Sequence, residues 1–233
     1  MSDIKIVFFD MEGTLFRKAV RINETSVASS AWVSIAKALG PQALKEEHQT
    51  QKNKREGRYS NYIEWMMDTI RIHKKYKLTK RIFNEVIDAI PYMPGVHEVF
   101  SKIRRLHIPT CLISGGFKNQ GDKAIRDLKI DHGFVACEYF FDDEGLLDHY
   151  NLLPGDEEGK VDFLKLMMRE YGLAKEHCAF VGDGMNDVFI AQQVGVSVAF
   201  NADEELKKVA TCIIDQEAGA EDFRDVLNCL GLA

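Results

Sequence analysis

The stretch Ile4-Lys5-Ile6-Val7-Phe8-Phe9-Asp10-Met11-Glu12-Gly13-Thr14 decides the fold of this chain. A run of apolar or β-favouring residues with a single lysine in it is typical of a mostly buried parallel strand. Asp10 ends that run, and a second carboxylate, Glu12, follows two residues later. Open α/β sheets place their ligands at the carboxyl ends of such strands. Two carboxylates there repel each other unless a cation or a proton lies between them, so the stretch predicts a metal, a shared proton or a turn.

Beyond residue 91, short apolar runs alternate with helical patterns. Strands are predicted at 108–113, 134–136, 178–181, 196–200 and 211–214, a hairpin at 138–142 and 146–150, and helices at 96–106, 118–128 and 161–171. Strands that alternate with helices imply a parallel sheet with helices on both faces. The predicted fold class is therefore α/β.

The segment between residues 17 and 91 has a different pattern. Apolar spacing predicts helices over 23–39, 59–72 and 79–90, and Thr79 is a suitable N-cap for the third of them. Pro91 ends the segment, because proline cannot continue a helix. A helical insertion after the first strand is therefore expected.

Charge is distributed unevenly between this insertion and the rest of the chain. The insertion carries 15 Lys and Arg against 8 Asp and Glu, whereas the remainder of the 233 residues carries 15 against 28. This asymmetry predicts two modules that attract each other or an anionic substrate between them, and a solvated helical surface is the plain alternative. No nucleic-acid-binding motif accompanies the charge, so nucleic acid is not an expected partner.

The composition is that of an ordinary globular chain, long enough for one or two domains. No apolar stretch approaches the length of a membrane span, and Met1-Ser2-Asp3 lacks the features of a signal peptide. A cytoplasmic location without a membrane partner is therefore expected. Five cysteines without C-x-x-C spacing favour buried thiols over a disulfide framework.

Four polar groups stand at, or just beyond, the carboxyl ends of predicted strands. They are Asp10 with Glu12, Ser114-Gly115-Gly116, Lys160, and Gly182-Asp183-Gly184-Met185-Asn186-Asp187. Their order and spacing resemble the four motifs of the haloacid dehalogenase superfamily, most closely its phosphoserine-phosphatase-like branch. Lys160 precedes Asp183 by 23 positions, as in that branch. The resemblance covers residues 1–16 and roughly 92–215.

This resemblance implies a Rossmann-like three-layer core formed by residues 1–16 and 92–233, with an α-helical cap at 17–91. It also implies a phosphoric monoester hydrolase that uses Mg²⁺ and an aspartyl-phosphate intermediate to act on a small phosphorylated metabolite, with phosphoserine as one candidate. Two alternatives stay open, namely a phosphotransferase that uses the same intermediate and a non-catalytic phosphometabolite-binding protein. The oligomeric state is left open.

The same resemblance assigns roles to individual residues. Asp10 would attack phosphorus as a carboxylate. Asp10 and Asp183 would hold Mg²⁺, with the backbone carbonyl of Glu12 as a third oxygen ligand. Asp187, also a candidate metal residue, would hold a metal-bound water or the lysine.

The phosphate oxygens would contact a second set of residues. Ser114 and the amides of Gly115 and Gly116 would form a cradle, because glycine lets the backbone come close. Lys160 would supply a point charge near the phosphate and the nucleophile, with Lys165 on the same helix as a weaker substitute. Asn186 would position the loop that bears the phosphate.

Glu12 departs from the superfamily pattern, which usually has aspartate at this position. That residue protonates the leaving oxygen and then activates water. Glutamate offers the same chemistry on a stem longer by about 1.5 Å. We expect Glu12 to be a competent acid and base, and the alternative is that it points away while water replaces it.

The insertion also departs from the phosphoserine-phosphatase pattern. Where that branch has an arginine for the substrate carboxylate, this chain has Thr69, which leaves Arg58 or Arg71 as replacements. The stretch Arg17-Lys18-Ala19-Val20-Arg21 would form a basic entrance, which would favour a substrate with negative charge beyond its phosphate. Trp32 and Trp65 are most simply core residues of the insertion, although one of them could contact substrate.

Overall fold

The computed structural model describes residues 3–18, 20–21, 27–28 and 30–233. Within them, the strands are β1 Ile6–Phe9, β2 Val20–Arg21, β3 Val27–Ala28, β4 Thr110–Phe117, β5 His132–Phe141, β6 Leu147–Leu152, β7 Cys178–Gly182, β8 Val196–Phe200 and β9 Cys212–Ile214. The helices are α1 Ala31–Leu39, α2 Pro41–Arg55, α3 Tyr62–Lys75, α4 Lys80–Ala89, α5 Val96–Arg105, α6 Lys118–Leu128, α7 Gly159–Tyr171, α8 Val188–Ala191, α9 Glu204–Lys207 and α10 Val226–Cys229.

The main sheet of the described residues has seven strands in the order β6-β5-β4-β1-β7-β8-β9. All neighbouring strands in it are parallel except β5 and β6, which form the predicted hairpin. The opening stretch lies at the centre, where Phe9 pairs with Leu112 on one side and with Val181 on the other. The α/β prediction is therefore confirmed, with one antiparallel edge strand added.

Alternating residues of β1 pack into two separate hydrophobic cores. Val7 and Phe9 face the layer that contains α5 and α6, whereas Ile6 and Phe8 face the layer that contains α7 and α8. All four side chains are fully buried. A strand covered on both faces needs apolar residues at every position, which explains the unbroken apolar run and the three-layer, Rossmann-like arrangement.

The described part of the helical insertion contains four helices, and their boundaries differ from the prediction. The predicted helix over 23–39 begins only at Ala31, where the Ser30 hydroxyl caps it by accepting from the Val33 amide. Residues 27–28 pair with 20–21 as a short antiparallel ribbon instead. Residues 23–26 and 29, which the prediction also included, lie outside the described residues.

The helix α2 was not predicted. Of its 15 residues only Ala43, Glu47 and Thr50 are buried, so it has no apolar stripe that a sequence pattern can detect. Pro41 begins it, because the first helical turn needs no amide donor at that position. The Gly40-Pro41 pair therefore separates two helices instead of ending the helical segment.

Two expectations from composition have different outcomes. Cys212 and Cys229 form a disulfide between β9 and α10, so the prediction of five buried thiols is wrong for this pair and correct for Cys111, Cys137 and Cys178. Within the described part of the chain, no helix has the length and apolar character needed to cross a bilayer.

Candidate active site

The predicted site residues meet at one edge of the sheet. Asp10 follows β1, Ser114 lies in β4 and Asp183 follows β7, and these three strands are adjacent and parallel. Since parallel strands end at the same edge, their polar ends converge. A cavity of about 360 Å³ opens there, with its inner wall formed by the sheet and its outer wall by the helical insertion.

Lys160 lies at the centre of this edge and is fully buried. Its Nζ donates to Asp10 Oδ1 at 2.6 Å and to Asp187 Oδ1 at 2.6 Å, and lies 3.7 Å from Asp156 Oδ1. Burial lowers the pKa of Lys160, but these carboxylates together raise it well above its usual value. Lys165, the weaker candidate, is exposed on the same helix.

The Asp10 carboxyl needs positive charge around it to ionise. Burial raises the pKa of Asp10 well above its usual value; Lys160 lowers it, and the nearby Asp187 and Asp183 raise it further. One ammonium shared with Asp187 therefore does not offset the burial. A second cation beside Asp10 would favour the carboxylate form.

The carboxylates of Asp10, Asp183 and Asp187 form a buried cluster whose potential ligand atoms lie within 4.8 Å of one another. Burial, opposed by Lys18, raises the pKa of Asp183 to about 6, and the Lys18 ammonium contacts its carboxylate. Oxygen ligands of this kind suit a small divalent cation, so the residues present fit Mg²⁺. The roles of the individual carboxylates stay predictions.

Asp187 is the most constrained member of the cluster. One of its oxygens accepts from Lys160, and the other accepts from the amides of Asp183 at 3.0 Å and Gly184 at 3.1 Å. Both oxygens are thus engaged in fixing the loop and the lysine. Asp10 and Asp183 keep more capacity to bind an ion, which agrees with the prediction that Asp187 holds the lysine.

Gly13 is required for two reasons, namely its backbone conformation and the close approach of the Asp183 side chain. Its φ is +88°, and a Cβ at this position would overlap the carboxylate of Asp183. Any side chain there would therefore displace Asp183 or strain the turn. The glycine of the opening stretch thus lets the turns after β1 and β7 pack together.

The predicted phosphate cradle lies in the last part of β4 and lines the cavity. The Ser114 hydroxyl accepts from the Gly116 amide at 3.0 Å, and the Gly115 carbonyl accepts from the Tyr62 hydroxyl of α3 at 2.5 Å. The structure extends β4 through this segment to Phe117, with an irregular register after Ser114. The predicted strand end at residue 113 is therefore wrong by four residues, although the polar group lies where expected.

Sequence reasoning missed Asp156, which lies in the cavity wall. Its Oδ1 accepts from the Asn186 side chain at 2.6 Å, and a Cβ on Gly115 would lie 2.7 Å from its carboxylate. Asp156 thus orients Asn186 and requires a glycine beside it. The available signal was its position four residues before Lys160, a spacing that places two side chains on one side of a helical turn.

Glu12 lies in the cavity wall and is not directed away from it. Both carboxylate oxygens lie 3.3 Å from the amide of Ala31, the first residue of α1. Burial, partly opposed by that amide and by Lys18, raises the pKa of Glu12 to about 7. A carboxyl with such a pKa can give and take a proton near neutral pH, as the predicted acid and base role requires.

The outer wall of the cavity comes from the insertion. Trp32, Glu47, Lys54 and Trp65 are among its lining residues, and sequence reasoning named only the two tryptophans. Lys54 also pairs with Glu157 at 2.8 Å, which joins α2 to the loop before α7.

Neither proposed replacement arginine lies in the described wall of the cavity. The Arg58 side chain is exposed and pairs with Glu56 at 2.7 Å. The Arg71 side chain is also exposed and contacts Asp68 one turn away. Thr69 itself is fully buried. The prediction that Arg58 or Arg71 replaces the missing arginine is therefore wrong.

The burial of Glu47 in this wall can be tested through the pH dependence of protein stability. Burial raises its pKa to about 7, whereas a glutamate in the unfolded chain ionises near 4.5. Between these values the unfolded state loses a proton that the folded state keeps, so the Glu47 contribution to the free energy of unfolding falls as pH rises.

Glu47→Gln should therefore gain stability relative to the parent protein as pH rises from 5 to 8, by about 2 kcal/mol. Chemical denaturation of both proteins at the two pH values measures this difference. Glu46→Gln is the matched control, because Glu46 pairs with Lys75 at 2.7 Å on the outer side of α2. An equal stability difference at both pH values would contradict the burial of an ionisable Glu47.

The chain was compared with known families and proteins. The family model for haloacid dehalogenase-like hydrolases matches residues 4–195. Phosphoserine phosphatase SerB2 of Mycobacterium tuberculosis is 31% identical over 134 residues, covering 57% of this chain and 32% of that protein. The phosphoserine phosphatase of Archaeoglobus fulgidus is 24% identical over 213 residues, covering 91% of this chain and 57% of that protein. The chain thus spans about a third to three fifths of the length of these relatives.

Solved structures show the same fold. A phospho-aspartyl intermediate analogue of phosphoserine phosphatase has a TM-score of 0.78 at 22% identity, covering 97% of this chain and 98% of that one. A probable phosphoserine phosphatase from Vibrio cholerae has a TM-score of 0.77 at 18% identity, covering 98% of this chain and 64% of that one. At these identities the likeness extends to the fold alone.

Proposed function

The chain belongs to the haloacid dehalogenase-like hydrolase family, and from this premise we propose that it is a Mg²⁺-dependent phosphatase of small phosphomonoesters. One observation carries the proposal. The buried Lys160 ammonium binds Asp10 at the carboxyl end of the central strand, beside a cavity large enough for a small metabolite. The names of the relatives make phosphoserine one candidate substrate.

The first step transfers the phosphoryl group to the protein. A carboxylate oxygen of Asp10 attacks phosphorus, the ester bond to the alcohol oxygen breaks, and that oxygen takes a proton from Glu12. Lys160 holds Asp10 in place by its 2.6 Å hydrogen bond. A Glu12 pKa of about 7 supports this assignment, because a good part of the carboxyl is protonated at neutral pH.

The second step hydrolyses the aspartyl-phosphate. Water attacks phosphorus, the Glu12 carboxylate takes a proton from that water, and the bond from phosphorus to the Asp10 oxygen breaks. Inorganic phosphate leaves, and Asp10 regains its carboxylate. The two steps together return both carboxyl groups to their starting forms.

Asp10, Asp183 and the backbone carbonyl of Glu12 are the proposed ligands of Mg²⁺, with Asp187 behind them. When bound, the ion supplies positive charge that lets an anionic nucleophile approach an anionic phosphate. Ser114, the Gly115 amide and Lys160 are the proposed contacts of the phosphate oxygens, and Asn186 positions the adjacent loop.

We assign residues 1–16 and 92–233 to the core and residues 17–91 to the cap. Two contacts between these parts support a cap that closes over the cavity, namely Tyr62 to the Gly115 carbonyl and Lys54 to Glu157. A closed cap excludes water that would otherwise compete in the first step.

The protein is expected to release inorganic phosphate from p-nitrophenyl phosphate in the presence of Mg²⁺, and EDTA should lower the rate at least about 100-fold, because the carboxylate cluster then lacks its counter-charge. Parallel assays of nitrophenol and phosphate measure both products. Addition of excess Mg²⁺ after EDTA is the control and should restore the rate.

Absence of both products would contradict the proposal and favour a non-catalytic phosphometabolite-binding protein. Nitrophenol without an equal amount of phosphate, in the presence of an acceptor alcohol, would instead indicate phosphoryl transfer to that alcohol.

A further inference from the structure

The cap wall of the cavity contains a buried carboxylate that the proposed reaction does not use. Glu47 is 1% exposed, and it lines the cavity from α2. Among the described residues, its Oε2 atom has no hydrogen-bond partner. A buried polar atom without a partner is costly, so this position is expected to have a partner when the cavity is filled.

The two lysines of the cavity wall are engaged elsewhere. Lys54 pairs with Glu157 at 2.8 Å, and Lys18 contacts Asp183. Hydrogen bonds from Thr69 and Gln51 lower the pKa of Glu47 but only partly offset its burial, which is the largest effect. Within the described residues, no salt bridge neutralises this carboxylate.

Aromatic rings in the same cavity wall suit a cationic ligand. Trp32, Tyr62 and Trp65 line the same cavity. The indole N–H of Trp65 donates to Thr50 Oγ1 at 3.2 Å, which fixes the ring, and the Lys54 ammonium already lies 5.7 Å from the ring centroid. Aromatic faces attract cations through their quadrupole, most strongly in partly desolvated sites.

The net charge of the described cavity wall also suits a cationic ligand. Its carboxylates outnumber its cationic side chains by six to three: Asp10, Glu12, Glu47, Asp156, Glu157 and Asp203 against Lys18, Lys54 and Arg55. The basic entrance expected from the sequence is therefore not what lines the cavity. After the carboxylates of the core are set aside, Glu47 is the buried carboxylate on the cap side of the cavity.

We propose that Glu47 binds a cationic amine on the alcohol part of the substrate. This inference rests on the proposed phosphatase function. The substrate class is then a phosphorylated amino alcohol. The ammonium donates to Oε2 and lies beside the aromatic rings, which gives the unpartnered oxygen its hydrogen bond.

Two phosphate esters of equal size test this proposal. In propyl phosphate a methyl group replaces the ammonium of 2-aminoethyl phosphate, so the ratio of their kcat/KM values isolates the amine. The parent protein should favour the amine by about 30-fold or more, since a buried charge pair contributes at least this much. Glu47→Gln should lower that ratio at least about tenfold.

Glu46→Gln is the matched control for the specificity measurement. Glu46 is the preceding residue, but its carboxylate accepts from Lys75 and from the Tyr76 hydroxyl, each at 2.7 Å, away from the cavity. The ratio of the two kcat/KM values should therefore stay unchanged in this variant. A merely structural effect of altering α2 would lower kcat/KM for both esters together and leave the ratio unmoved.

Several outcomes would overturn the inference. Equal kcat/KM values for the two esters in the parent protein, or an unchanged ratio in Glu47→Gln, would remove the role of Glu47. If Glu47→Gln does not fold, the ratio of the two kcat/KM values in the parent protein alone tests the inference.

Failure of this inference is distinguishable from failure of the proposed function. Hydrolysis of p-nitrophenyl phosphate and propyl phosphate without a preference for the amine would overturn only the role of Glu47. No hydrolysis of any ester would overturn the phosphatase itself, and the amine preference with it.

Discussion

Asp10→Asn is expected to lower kcat by at least about 10⁴-fold while the fold stays intact. The amide cannot attack phosphorus as a carboxylate does, and removal of a covalent nucleophile is among the most damaging changes an enzyme can suffer. The amide is nearly isosteric with the carboxyl and still accepts from Lys160. The backbone amide of Asp10, which donates to the Val181 carbonyl at 2.9 Å, is unaffected.

Steady-state phosphate release and far-ultraviolet circular dichroism measure these two expectations. The neutral amide also removes one of the carboxylates that repel each other in the cluster, so thermal stability without Mg²⁺ should not fall. Asp162→Asn on the exposed side of α7 is the matched control. Turnover within tenfold of the parent protein in Asp10→Asn would eliminate the aspartyl-phosphate mechanism.

Lys160→Met is expected to lower both activity and stability. Its ammonium is fully buried between Asp10 and Asp187, and loss of one partner of a buried ion pair costs about 3–5 kcal/mol. The rate should fall by roughly 10³-fold, because the nucleophile loses the group that orients and neutralises it. Chemical denaturation and single-turnover assays with excess Mg²⁺ measure the two losses.

The stability loss in Lys160→Met should depend on pH. In the parent protein the raised pKa of Lys160 keeps its stabilisation fully present throughout the range from 5 to 8. In the variant the buried carboxylates must hold protons that the unfolded chain has released, so the deficit grows as pH rises. Lys165→Met, on the exposed side of the same helix, is the control and should lose neither activity nor stability.

A deficit that is equal at pH 5 and pH 8 would contradict the role of Lys160 as the counter-charge of the cluster. Full activity in Lys160→Met, or a loss of the same size in Lys165→Met, would contradict its place beside the nucleophile.

The sheet and its polar edge could be predicted because both leave local signals in the sequence. The apolar run 4–9 marks a strand buried on both faces, and α6 has the predicted limits 118–128. Lys160 could be chosen over Lys165 by its distance in sequence from Asp183, and the hydrogen bond to Asp10 agrees with that choice.

The cap wall could not be predicted, because its contacts join segments far apart in sequence. Glu47, which was left unassigned, owes its position to burial between elements and not to any spacing, whereas Asp156 was missed although it precedes Lys160 by four positions. Likewise, nothing in the residues around Glu12 indicates that the Ala31 amide lies 3.3 Å away. The polar helix α2 has no hydrophobic periodicity that could reveal it, since few of its residues are buried.

The scarcity of buried residues in α2 has a consequence for how selectivity can change. The proposed catalytic groups are anchored in the sheet, whereas the side chains proposed to meet the alcohol part of a substrate stand on a helix with few buried residues. Substitutions at Glu47, Gln51 or Lys54 can therefore alter which molecules are accepted without dismantling the machinery beneath. This division allows the substrate preference of the fold to change with little loss of folding stability.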